Sequence, residues 1–455
     1  MRTPSLPAAS AIVLAGGLLA GTLPGLSRAG SDPAPQPTLA APLSAVAALG
    51  KQMFFDPHLS ASGQMSCAFC HDPANHYGPP ARVSAAVISG GPDMNRPGLR
   101  AVPTLTYKFA TPPFSIGPTS PESEAAETTP MQEAENGARP EDALRTAGAQ
   151  LLARPGAPKA KTRAAGGNIV ARGGLFWDGR AADLQDQSLG PLLSPFEMAN
   201  ASLADLAATI RAGYGKELGQ LFGAQILKDD RMTVDEAAFA IARFEIEDVS
   251  FHPFSSKYDA YLAGRAQLSP QEAVGLRLFN DPNKGNCAAC HLDTPSADDK
   301  PPMFTDFEFE ALGVPRNPQI PANRNPAYHD LGLCGPLRDD AAARQPENCG
   351  LFKTPTLRNV ATRKAFFHNG IYSNLAQVVR FYARRAADPA AIYPRGPGGK
   401  VDIFNDLPRK YWGNIDRIDA PFDRHPGDPP ALSDAEIADI VAFLKTLTDG
   451  WMPAG

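Results

Sequence analysis

The sequence predicts a mainly α fold made of two related halves joined by long ordered loops. Three observations carry this expectation. Helix starts are marked by the capping boxes Thr233-x-x-Glu236, Ser269-x-x-Glu272 and Ser433-x-x-Glu436, in which a side chain and the backbone satisfy each other's free donors. Long alternating runs of the kind that mark strands are absent, and 46 prolines with 40 glycines imply many turns between short helices. The chain also repeats itself in outline. "GKQMFFDP" (50–57) matches "GLRLFNDP" (275–282), "VPTLTY" (102–107) matches "TPTLRN" (354–359), and "LFWDGR" (175–180) matches "FFHNGI" (366–371).

In chain order, Arg2, an apolar stretch over 8–20 and Ser27-Arg28-Ala29 read as a cleaved signal peptide spanning 1–29, with Gly30 as the mature start. No later apolar run reaches the roughly 18 residues of a membrane span, so none is expected after cleavage. An N-terminal domain is expected over 30–266 and a C-terminal one over 267–455, with the boundary near "YLAGRAQLSPQE" (261–272). Residues 119–168, rich in Ala, Pro, Glu and Thr, interrupt the first domain as an insert, in which only 140–154 has a helical pattern. After Ser433, the apolar residues Ile437, Ile440, Val441 and Leu444 form one helical stripe.

At 455 residues, 43% hydrophobic and 20% charged, the chain has an ordinary globular balance with room for two cores. Its formal net charge of -5 argues against a nucleic-acid partner. Six cysteines in an exported chain first suggest three disulfides, but four belong to "CAFCH" (67–71) and "CAACH" (287–291). That leaves Cys334 and Cys349 to close a short disulfide loop.

CxxCH sets two thiols one helical turn apart, where both can add to the vinyl groups of one haem while the next residue, His, turns to the iron. Zinc is the competing reading, but it needs a fourth ligand near each unit. Two such motifs at matching places predict two covalent c-type haems, bound through Cys67, Cys70 and His71 and through Cys287, Cys290 and His291. The fold class becomes two c-type cytochrome-like domains. A sixth ligand makes an electron carrier of an iron, and an open face makes it reactive. No His lies between His76 and His252, so Met94 is the nearby candidate at the first haem. Met303, His329, His368, Tyr382 and Met452 are candidates at the second, and the residues alone do not choose among them.

The combination of "FFDP", CxxCH, "FWDGRA", Gln187, "GPL" and "SPFEM" with the second CxxCH, "FKTPTLRNV", "FFHNG" and "VVRFY" resembles the bacterial dihaem cytochrome c peroxidase superfamily. The resemblance covers nearly all the mature chain except the insert. It implies a peroxide-reactive first haem and an electron-relay second haem. It also implies that Trp177 lies between them, that Glu197 is the distal carboxylate, and that Gln187 and Pro191 line the same pocket. Tyr382 stands where the peroxidase branch has a Met ligand, which resembles the MauG-like branch. His368 is then a structural histidine. Relatives often hold calcium between the domains, but this chain has Ala101, Arg363 and Ala365 where they have Asn, Thr and Pro, which leaves only backbone carbonyls for Ca2+.

The expected protein is a periplasmic oxidoreductase that uses hydrogen peroxide to reach a high-valent dihaem state and oxidises an aromatic residue of a partner protein at a distance. One alternative is a cytochrome c peroxidase fed by a small cytochrome or copper protein. The other is a non-enzymatic dihaem electron carrier.

Overall fold

The computed structural model describes residues 41–118 (except 82, 84 and 85), 169–295 and 300–453. The expected signal peptide and the 119–168 insert with its helix lie outside the described residues. No described helix is long and apolar enough to cross a membrane. The compact unit considered below begins at Pro42.

Helices dominate. In the first half these are α1 (Ala45–Phe55), the one-turn α2 (Cys67–Cys70), α3 (Leu184–Leu193), α4 (Leu203–Phe222) and α5 (Asp230–Glu247). The second half has α6 (Lys257–Leu262), α7 (Pro270–Asn280), α8 (Leu375–Arg384) and α9 (Asp434–Lys445). The described strands form three antiparallel pairs: β1 (Ser89–Gly90) with β2 (Arg96–Pro97), β3 (Ser115–Pro118) with β4 (Ile169–Arg172), and β5 (Phe309–Glu310) with β6 (Phe352–Lys353). The fold is mainly α.

Ser269–Glu272 and Ser433–Glu436 form full capping boxes at the starts of α7 and α9. The third expected box does not form. Asp229 caps α5 instead, accepting from the Met232 amide at 2.9 Å. Thr233 lies fully buried inside the helix, its hydroxyl donating to the carbonyls of Ile226 and Asp229. The carboxylate one turn upstream wins the cap because the Thr side chain is needed in the core. Ser256 and Asp259 make a box at α6 that the Glu-based signature did not reveal.

Each half has its own core. Phe54, Tyr77, Phe244 and Phe251 cluster edge to face or stacked in the first, and Tyr258, Phe279, Phe304 and Phe443 in the second. The change of core falls between Phe251 and Tyr258, so α6 packs with the second half, slightly ahead of the expected boundary. In both halves two helices cross at backbone contact. A Cβ on Gly50 of α1 would meet the Ala240 carbonyl oxygen of α5 at 1.8 Å, and one on Gly275 of α7 would meet that of Asp439 of α9 at 2.0 Å. Only glycine allows that approach. The crossings superimpose the halves residue by residue, with Phe244 on Phe443 and Glu245 on Leu444.

The loops repeat as well. Tyr107 and Asn359 both adopt left-handed backbone before a short 3₁₀ turn, and Phe176 and Phe367 do so in "FWDGR" and "FFHNG". Paired bridges Leu175↔Ala181 and Phe366↔Tyr372 close the latter loops. Trp177 therefore corresponds to His368. At the seam, Ala101 is held by both: its amide donates to the His368 carbonyl at 2.8 Å and its carbonyl accepts from Trp177 Nε1 at 2.9 Å. Buried Arg100 adds bonds to Asp178 in one half and Asp330 in the other. A disulfide joins Cys334 and Cys349.

Candidate active site

Each CxxCH folds back on itself in one way: the His71 amide donates to the Cys67 carbonyl at 2.9 Å, and the His291 amide to that of Cys287 at 2.8 Å. The ring of His71 then bonds through Nδ1 to the Tyr77 carbonyl at 3.1 Å, and that of His291 to the Phe304 carbonyl at 2.9 Å. Both carbonyls come from residues with φ of 52°. A carbonyl accepts only, so Nδ1 carries the proton and Nε2 keeps its lone pair for a metal. Burial pulls both imidazoles down to about 4, which keeps them neutral. The four motif thiols are unpaired, and burial pushes those of Cys67, Cys70 and Cys287 up to about 12. Two free thiols beside one oriented imidazole, twice over, fit a haem in each half.

The surroundings opposite the two histidines differ. Helices α3 and α8 are both ten residues long, capped by Asp183 and Asn374 through the same side-chain bond to the third residue of the helix. Pro191 is the eighth residue of the first and Tyr382 the eighth of the second. One half therefore has a ring with no donor atom where the other has a phenol. Tyr382 stacks on Phe422 at 5.5 Å and packs against Phe367 and Phe381. Burial drives its pKa far up, and the Cys290 and Cys287 thiols add to the rise. Its Oη makes no hydrogen bond to another described residue.

Glu197 lies in the loop after α3, its amide bonded to the Ser194 carbonyl at 3.0 Å. Gly90 and Gly91 press against it: the Gly91 amide donates to the Glu197 carbonyl at 2.8 Å, and a Cβ on Gly90 would strike the Phe196 carbonyl oxygen at 2.4 Å. Burial raises the Glu197 pKa, with the Ser194 hydroxyl and Arg180 pulling the other way. Its charge in turn helps push the Cys70 thiol up. Gln187 is one turn before Pro191 on the same face of α3.

Trp177 bridges the seam, with Nε1 on Ala101 and its carbonyl accepting from the Lys353 amide at 2.9 Å. Among the other candidate ligands, His368 is buried, stacked on Phe352 at 3.6 Å, with Nε2 3.6 Å from Asp406. His329 Nδ1 stands 3.2 Å from the Asp406 carbonyl, and Met452 is 79% exposed. Met303 precedes Phe304, on the side of His291, and Met94 packs against the first core.

Sequence reasoning missed a group of buried and half-buried charges. Lys108, Lys353 and Arg363 gather between the halves, and Glu245 lies 4% exposed near Cys67. The available signal was the duplication, which matches Lys108 with Val360 and Glu245 with Leu444. At the positions where relatives hold calcium, this chain offers backbone carbonyls alone. Ala101 and Ala365 offer no side-chain oxygen, the Ala101 carbonyl is taken by Trp177, and Arg363 occupies the carbonyls of Thr356 and Arg358 at 3.0 and 3.2 Å. Among the described residues no group of three or more His, Cys, Asp or Glu could hold a metal ion.

Comparison with known proteins agrees with this architecture. The di-haem cytochrome c peroxidase family, which includes MauG, matches residues 44–267. The methylamine utilization protein MauG of Paracoccus denitrificans is 32% identical over 414 residues, 89% of either chain. The cytochrome c551 peroxidase of Nitrosomonas europaea is 26% identical over 342 residues, 74% of this chain and 73% of that one. The solved diheme peroxidase BthA of Burkholderia thailandensis superimposes with a TM-score of 0.72 at 36% identity, covering 90% of this chain and 88% of that one. The chain belongs to the di-haem cytochrome c peroxidase family and is an oxidoreductase of the haem peroxidase type. Membership in an enzyme family displaces the simple carrier reading.

Proposed function

We propose that the chain is a MauG-like enzyme that reduces hydrogen peroxide in its first half and draws the electrons from an aromatic side chain of a partner protein. The observation that carries this reading is the exchange of Pro191 for Tyr382 at one position of a duplicated module. One haem is held by Cys67, Cys70 and His71, and the other by Cys287, Cys290, His291 and Tyr382. When bound, the haem pair supplies the redox centres that accept oxidising equivalents from peroxide.

The chain's own residues do the rest. Pro191 leaves the first distal face without a ligand, and Gln187 shares that wall. Glu197, desolvated beside the first CxxCH, moves a proton from the near to the far peroxide oxygen, a general acid-base role worth about 10² to 10⁴ in rate. Tyr382 closes the second half with a hard oxygen, which favours the oxidised metal, whereas a thioether favours the reduced one. Trp177 sets a large oxidisable ring at the seam, where an electron passes from one half to the other. In the balance, one H2O2, two protons and two electrons give two waters, and the donor loses the two electrons.

Export to the periplasm follows from the N-terminal pattern and accords with the Cys334–Cys349 disulfide, which needs an oxidising compartment. The match to a cytochrome c551 peroxidase supports a second reading, in which a small cytochrome or copper protein is the donor. Peroxide added to the holoprotein with and without reduced cytochrome c separates the two. A long-lived oxidised state that ignores the cytochrome supports the first, and steady turnover of the cytochrome overturns it in favour of the second.

A further inference from the structure

Three cations, Lys353 buried and Lys108 and Arg363 half-buried, lie where the two halves meet. Lys108 and Lys353 line a cavity of about 10 Å³ together with Tyr107, Thr111, Thr305 and Thr356, which come from both halves. The Lys108 Nζ makes no hydrogen bond to another described residue. Burial lowers its pKa well below the ordinary value, and Lys353 and Arg363 lower it further. Lys353 shares the cavity with it, and Arg363 bonds the carbonyl of Thr356 in the cavity wall. Lys353 reaches only the Gly174 carbonyl, at 2.5 Å. Arg363 spends one nitrogen on two carbonyls, while its buried Nε has no partner among the described residues. Glu245 is itself pushed up to about 8 by burial, and Asp178 is already bonded to Arg100 and Arg180.

The cluster also has a direction. Lys108 belongs to the first half and Arg363 to the second, and the cavity wall adjoins both proximal histidines. Thr305 follows Phe304, whose carbonyl holds the His291 ring, and the Tyr77 carbonyl that holds His71 also accepts from the Leu105 amide at 3.1 Å, two residues before Tyr107 of the wall. A buried cation is tolerated when an anion meets it. Every haem carries two carboxylate side chains, and two haems bring four.

We propose that Lys108, Lys353 and Arg363 form a built-in cationic seat that receives haem carboxylates from both halves and takes the place of a divalent metal ion between them. This rests on the di-haem reading above. A guanidinium on the carbonyls of Thr356 and Arg358 repels Ca2+ and removes two oxygens from its reach, and a hard cation needs six to eight.

The test uses the holoprotein, with haem counted per chain on every sample. Redox titration of Lys108→Met is expected to lower the potential of the first haem more than the second, and Arg363→Met the reverse, because each removes a positive charge nearest one centre. Lys108→Arg and Arg363→Lys, which keep the charge, are expected to retain wild-type potentials and serve if the methionine variants do not fold. Wild-type thermal unfolding is expected to be the same in EGTA and in millimolar CaCl2. Unchanged potentials in both methionine variants with two haems bound, or an unfolding temperature that drops in EGTA and recovers with Ca2+, overturn the inference alone. A wild-type haem count below two per chain overturns the di-haem reading and this inference with it.

Discussion

Pro191 and Tyr382 occupy the same position, the eighth, of a repeated ten-residue helix. In the function proposed above, this single difference within a duplicated framework separates a reactive centre from a closed one. Exchanging these residues should exchange properties. Tyr382→Met is expected to raise the midpoint potential of the second haem, as a thioether does relative to an oxygen ligand. Pro191→Tyr should abolish the high-spin ferric signal of the resting protein and its reaction with peroxide. Spectroelectrochemical titration and electron paramagnetic resonance read the two outcomes.

Glu197→Gln keeps the shape of the side chain and removes its proton. The rate of reaction with peroxide should fall by about 10² to 10⁴ in stopped-flow mixing, while the resting spectrum stays that of the wild type. A loss smaller than tenfold assigns proton transfer to another group.

Gly50→Ala and Gly275→Ala test whether the halves are built alike. Each added methyl would overlap a carbonyl oxygen across a helix crossing, at 1.8 and 2.0 Å, so the helices must part. Each variant should lose about 1 to 3 kcal/mol or more in denaturant unfolding. Gly213, whose added Cβ meets nothing within 4 Å, is the control, where alanine should be harmless or slightly stabilising.

Glu245 gives a stability that depends on pH. Burial holds its folded pKa near 8, against 4.5 for an ordinary Glu. Between those values the folded chain keeps a proton that the unfolded chain has released, so stability falls as pH rises through the window and levels off above it. Glu245→Gln removes the term. The variant should gain on the wild type by at most about 1.4 kcal/mol per pH unit between pH 4.5 and 8, measured by denaturant titration across that range.

Much of this arrangement is legible in the sequence where a local rule governs. Ser269 and Ser433 cap their helices because a serine three residues before a glutamate satisfies its own local donors, whatever packs nearby. Thr233 fails the same rule because its side chain is recruited to the core, a tertiary fact that no window of ten residues contains. The matching of "LFWDGR" with "FFHNGI" carries forward to Pro191 and Tyr382, since the loop and the helix keep one spacing in both copies. Glu245 stayed hidden because a lone charge in a short segment reads as surface, and only the paired core position in the other half, Leu444, reveals that it is buried. Half-buried Lys108 pairs in the same way with Val360.

The six cysteines meet opposite fates in one molecule. An environment oxidising enough to join Cys334 to Cys349 can also couple Cys67 to Cys70, or Cys287 to Cys290, across a single turn of chain. In the covalent di-haem reading proposed above, such a bridge consumes the nucleophiles that porphyrin attachment requires. Biogenesis must therefore keep four sulfurs reduced while two are oxidised, and a production host without dedicated reductants and a haem ligase should yield colourless, cross-linked polypeptide.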